Sequence, residues 1–254
     1  MDPDGDGIVS RGEIKKKVED LLSDGGVKAR AVEINEMAQK SVGEDGTSSK
    51  VFNDFVQWLN VSSATHSMRS KGLPSIYAPT SSVIYIAFGS FTVFNPHQFQ
   101  ELAHGLELCG RLFLWVVRSH PTDGSTQPYP DAFLERVADR GLVVSWTPLQ
   151  NVLAHPSVAC FITHCGWNST MEALANGVPM LCWPYFADQY FNQIYISDVW
   201  RVGLRMDRDG DGLVTRGEIK KKVEDLLGDG GLKARALEIK EIAKKSVSED
   251  GTSS

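Results

Sequence analysis

The chain has 254 residues, 42% of them hydrophobic, and its 32 acidic and 26 basic side chains give a net charge of −6. That length holds one large domain, or one domain with appendages, and buries a full core. The charge and the lack of a basic stripe argue against a nucleic-acid partner, no apolar run reaches the ~20 residues of a membrane span, and the acidic start MDPDGDGIVSRGE is not a secretory signal.

Taken in order, residues 13–22 and 27–42 carry helical periodicity, with Ile14, Val18, Leu21 and Leu22, then Ala31, Ile34, Met37 and Ala38, on their apolar stripes. Asp24-Gly25-Gly26 separates them as a cap and turn. Residues 61–80, VSSATHSMRSKGLPSIYAPT, lack periodicity and read as a linker. Beyond it, strands are expected at Val83–Phe88, Leu112–Val117, Leu142–Ser145, Val158–Thr163 and Met180–Trp183, and Val202–Arg205 also reads as a strand. Helices are expected at Pro96–Cys109, Ala132–Ala138, Pro148–Ala154, Ser169–Ala175 and Asp188–Trp200. Apolar strands alternating with helices imply an α/β fold, a Rossmann-like parallel sheet covered on both faces. A ligand is expected beyond the carboxyl ends of its strands, where Ser90, Trp146 and His164 fall. Cys109, Cys160, Cys165 and Cys182 lie in apolar or motif text without paired-ligand spacing, as reduced thiols of a cytoplasmic protein would.

Residues 1–49 and 206–254 are near copies at an offset of 205, with 10 differences in 49 positions. Two separated copies do not make a solenoid, which stacks three or more units. The stretch Trp146 to Gln189 is the most informative text. In it an apolar run ending at Thr163 leads into His164-Cys165-Gly166-Trp167-Asn168-Ser169, and a helix-compatible segment follows. A strand feeding a glycine turn and a helix N-terminus offers free N–H groups and a positive dipole end, a natural seat for phosphate. Trp146 and Trp167 supply flat apolar surfaces, and Glu172, Asp188 and Gln189 supply partners for hydroxyls, so the set suggests a nucleotide-sugar site.

This 44-residue stretch resembles the donor-binding box of plant family-one UDP-glycosyltransferases, with the HCGWNS core, GVPM and WPYFADQ in place. SSVIYIAFGSFTVF and QFQELAHGLELCGRLFLWVVR upstream resemble the same family. The resemblance implies the C-terminal, donor-binding half of a GT-B glycosyltransferase over residues 81–254, with an extra N-terminal helical segment. It implies that Trp146 stacks on uracil, that His164, Asn168, Ser169 and Ser90 contact the diphosphate, and that Glu172 grips the ribose hydroxyls. Asp188 and Gln189 would hold the sugar, with Gln189 leaning to glucose; Thr147 and Trp167 complete the expected donor set. The family usually has Gln at the fourth box position, where this chain has Leu149, so the uridine contact is lost or taken over by Gln150. Residues 1–60 then resemble that family's tail and terminal helix (KVFNDFVQWLN at 50–60), joined ahead of the donor domain as a tandem gene pair or a mis-joined gene would give. The apolar stripe of this segment favours self-association.

The implied reaction is inverting transfer from a UDP-sugar, a co-substrate rather than a cofactor, to a small hydroxylated acceptor. No histidine here lies in text resembling the family's catalytic-base motif, so the chain is expected to be a donor-binding half, inactive or very slow alone. The alternative is calcium binding. Asp2, Asp4, Asp6, Gly7, Ser10 and Glu13, and again Asp207, Asp209, Asp211, Gly212, Thr215 and Glu218, fit an EF-hand loop. Neither loop has the preceding helix that an EF-hand requires.

Overall fold

The computed structural model describes residues 47–69 (side chains to Asn60), 80–118, 122 and 129–247, and isolated helical positions between 12 and 36. The chain divides into two compact units, Met1–Lys50 and Val51–Ser254. In the first unit Lys15 and Glu19 pair across one helical turn at 3.8 Å. The expected helices at 13–22 and 27–42 otherwise lie outside the described residues.

Among the described residues the second unit is built on one six-stranded parallel sheet. Its strands are β1 (Val83–Ala87), β2 (Leu112–Val116), β3 (Gly141–Val144), β4 (Val158–Thr163), β5 (Met180–Cys182) and β6 (Gly203–Arg205), in the order β3-β2-β1-β4-β5-β6. The order reverses between β1 and β4, which makes their carboxyl ends the topological switch point. Because strand side chains alternate, each strand feeds two cores. Ile84, Ile86, Phe113, Trp115, Cys160, Ile162 and Leu181 face one layer. Val83, Tyr85, Leu112, Leu114, Phe161, Met180 and Cys182 face the other.

Helix α1 (Thr47–Arg69) opens this part of the chain. Phe55 and Leu59 are 1% and 2% exposed and belong to the second core, and Phe55 meets the His155 ring edge-on at 5.6 Å. From the sequence alone, residues 1–60 go together as one appended segment and 61–80 as linker. The structure instead divides the chain at Val51 and carries the helix to Arg69. The reason is local: residues 61–69 contain neither Gly nor Pro, and the first breakers are Gly72 and Pro74. On the opposite face lies α2 (Pro96–Cys109), which starts with Pro at its first turn under an Asn95 cap donated to by the Gln98 N–H (2.7 Å) and ends on left-handed Gly110.

The second tail copy is part of this unit. Its helices α7 (Arg216–Gly228) and α8 (Gly230–Val247) cover opposite faces of the sheet, through Ile219, Val223 and Leu226 on one and Ala236 on the other. Gln98 both donates to the Val214 carbonyl (2.8 Å) and accepts from its N–H (2.9 Å), like a paired peptide group. Glu101 receives the Arg216 backbone N–H (2.7 Å) and its guanidinium, which holds the Glu101 carboxyl below the usual carboxylate range. Between the sheet and α7 or α8 run the shorter helices α3 (Phe133–Arg136), α4 (Leu149–Ala154), α5 (Trp167–Asn176) and α6 (Gln189–Ile194), the last continuing as a π-turn over Tyr195–Val199.

Candidate donor site

The site forms at the switch point. β1 runs out into Gly89-Ser90 and β4 into His164, so the two chain turns meet above adjacent strands. Gly89 is left-handed (φ 68°), and a Cβ there would lie 2.6 Å from His164 Nε2; a Cβ on Gly166 would meet the same atom. The imidazole therefore sits in a slot that only two glycines leave open. Burial lowers the His164 pKa, against a smaller opposing pull from the Ala87 carbonyl and the Asp188 charge, so the ring is neutral at pH 7. Its Nδ1 is buried without a hydrogen-bond partner.

α5 begins at Trp167, two residues before the start read from the sequence, with Gly166 as its cap. Gly166 brings no side-chain acceptor, so the N–H groups of the first turn are left for another partner. Ser90, His164, Trp167, Asn168, Ser169 and Gln189 line one cavity of about 340 Å³ with Gly89, Phe91, Thr92 and Phe186. Gln189 is buried, and its Oε1 accepts the N–H groups of Tyr185 (2.8 Å) and Phe186 (3.1 Å). That fixes the amide and leaves its NH₂ as the donor.

The other expected residues do not line this cavity, although all stand at the same end of the sheet. Trp146 follows β3 and is 42% exposed, presenting its ring as an open plate. Thr147 is buried, and its hydroxyl meets that of Tyr85 at 2.6 Å. Gln150 is exposed in the first turn of α4, whereas Leu149 packs against the core. The departure at the fourth box position thus has a packing role. Glu172 lies on α5 with Oε2 buried and unpartnered, and burial raises its pKa. Asp188 is exposed and accepts from Asn192 Nδ2 at 3.0 Å. Phe91, Thr92, Phe186 and Asn192 were not singled out by the sequence. Only Asn192 carries a readable signal, a helical i+4 spacing from Asp188.

The second acidic loop is organised without a cation. Lys222 Nζ sits 2.8 Å from Asp207 and 3.5 Å from Glu218, the first and last positions of the EF-hand spacing. Asp209 Oδ1 instead accepts the N–H groups of Asp211 and Leu213. The element before the loop is the strand β6, and among the described residues no group of three or more His, Cys, Asp or Glu is placed to hold a metal. Nothing here supports the calcium alternative for this loop; the first loop lies outside the described residues.

A family model described as UDP-glucoronosyl and UDP-glucosyl transferase matches residues 53–245. UDP-glycosyltransferase 83A1 of Arabidopsis thaliana is 49% identical over 173 residues, covering 68% of this chain and 35% of that protein. The DIMBOA UDP-glucosyltransferase BX8 of Zea mays is 47% identical over 177 residues, covering 68% and 38%. Among solved structures, Phytolacca americana UGT2 complexed with UDP-2fluoro-glucose and pterostilbene superposes with a TM-score of 0.64 at 40% identity, over 69% of this chain and 39% of that one. Os79 from O. sativa in complex with UDP gives 0.63 at 35% identity, over 69% and 39%. The chain thus spans somewhat over a third of the length of these relatives. With its parallel α/β sheet matching their corresponding portion, it belongs to the UDP-glucuronosyl and UDP-glucosyl transferase family.

Proposed function

We propose that this chain binds UDP-glucose across the carboxyl ends of its strands and presents it for inverting transfer to a small hydroxylated acceptor. The observation that carries this reading is the convergence of Ser90, His164, the uncapped first turn of α5 and Gln189 on one cavity. The diphosphate would lie against His164 and the N–H groups of Trp167, Asn168 and Ser169, with Ser90 opposite. As the acceptor oxygen attacks the anomeric carbon and the sugar–phosphate bond breaks, negative charge grows on the UDP leaving group. Donors already aimed at that position stabilise it without reorganising. Trp146 stacks on the base, Thr147 and Gln150 flank it, and Glu172, through its unpartnered oxygen, accepts the ribose hydroxyls. Asp188 and the Gln189 NH₂ take the sugar. The donor is a co-substrate, and no separate cofactor is required.

Among the described residues His164 is the only histidine lining the cavity, and it is committed to the diphosphate. A general base for the acceptor is therefore not supplied there, and transfer by this chain alone is expected to be slow or undetectable. The expected setting is the cytoplasm; no described helix is long and apolar enough to cross a membrane. The apolar stripe of residues 1–49 is expected to promote self-association. Isothermal titration with UDP and UDP-glucose tests the donor reading. Saturable binding lost on mutation of Trp146 and His164 supports it, and a chain that binds neither ligand refutes it.

A further inference from the structure

We propose that Asn192 is a positioning residue whose single amide group fixes the diphosphate end and the sugar end of the donor site together, an inference that rests on the donor-site reading above. Asn192 is 6% exposed on α6. Its Nδ2 donates to the Cys165 carbonyl at 2.9 Å and to Asp188 Oδ2 at 3.0 Å, so both amide protons are spent.

The two acceptors belong to different parts of the site. Cys165 lies between His164 and Gly166 and is itself left-handed (φ 65°), a conformation a non-glycine residue holds only when its surroundings fix it. The turn is held from both sides: the Cys165 N–H donates to Thr163 Oγ1 at 3.1 Å, and its carbonyl receives Asn192. That turn aims His164 and the first N–H groups of α5. Asp188, by contrast, is exposed, and the bond from Asn192 is what orients its carboxylate before a sugar arrives. Removing the amide loosens both ends at once. Substituting Asp188 loosens one.

The two ligands separate these effects, because UDP reports the diphosphate end and the extra affinity of UDP-glucose over UDP reports the sugar end. Calorimetry on the full chain should compare wild type, Asn192→Ala, Asp188→Ala and the double variant, with unliganded melting temperatures alongside. Asn192→Ala should weaken UDP roughly tenfold, the scale of one lost hydrogen bond at a site, and should also remove most of the sugar increment. Asp188→Ala should leave UDP affinity near wild type and remove the sugar increment. The double variant should bind like Asn192→Ala, since the sugar effect runs through Asp188. If Asn192→Ala binds UDP as wild type does and keeps the sugar increment, while its melting temperature falls, the amide serves folding alone and the proposal is overturned. A wild-type chain that binds neither ligand overturns the donor-site reading, and the positioning role with it.

Discussion

Gly89→Ala places the donor-site argument under direct strain. At φ 68° a side chain adds roughly 1–2 kcal/mol of backbone cost. In a folded unit of this size that is a loss of about 2–8 °C in melting temperature. The larger effect is on the site. The new methyl would stand 2.6 Å from His164 Nε2, well inside contact distance, and Gly166 blocks retreat on the other side. The imidazole must leave its slot, and with it goes a hydrogen bond to a charged diphosphate, on the order of 1.5–3 kcal/mol. UDP affinity should fall about ten- to a hundredfold, more than the fall in stability alone would cause. Titration of UDP into the folded variant, with circular dichroism melting as the control, measures both. A variant that melts lower but binds UDP with the wild-type dissociation constant would show that His164 is not a diphosphate contact.

Trp146→Ala should weaken UDP by about 1–3 kcal/mol, the scale of a base–aromatic stack, with little effect on melting because the ring is exposed; unchanged affinity removes Trp146 from the site. Phe55→Ala, at a position 1% exposed, should cost about 3–5 kcal/mol and lower the melting temperature by about 6–20 °C. Deleting residues 1–46 should be far milder than deleting 1–60, and equal tolerance of both deletions would show that Phe55 and Leu59 do not complete the core. His164 and His155 both have pKa values lowered from 6.5 by burial. Their contribution to stability is therefore present above pH 6.5 and is lost as pH falls through the lower folded values. Unfolding in urea between pH 7.5 and 5 should show that decline, and His164→Gln should flatten part of it; an identical pH slope in the variant counts against a buried neutral ring.

How much of this was legible beforehand divides along physical lines. Strand and helix positions from Val83 onward follow from period and breakers, because a sheet buried on both faces writes long β-branched and apolar runs into the sequence. The phosphate seat was legible for a similar reason: a strand, a glycine and a helix start are contiguous in the chain. Its remaining members are not contiguous. Ser90, His164 and Gln189 share a cavity only because β1 and β4 are neighbours at the point where strand order reverses, and sequence spacing does not contain strand order. Leu149 read as a lost contact, while packing shows it as part of the core. The linker at 61–80 was drawn from composition, yet a polar segment without breakers continued a helix that Phe55 and Leu59 had already anchored.

The sequence by itself determined the family, the parallel α/β class and the residue types of the donor box, because each is carried by local text. Tertiary structure alone decided which of those residues meet and that the second tail copy packs on the sheet through Gln98 and Glu101. It also set Lys222 between the two carboxylates that a calcium loop would need. Each of these outcomes depends on contacts between residues far apart in the chain, where the geometry of the sheet and not the spacing in the sequence sets the distance.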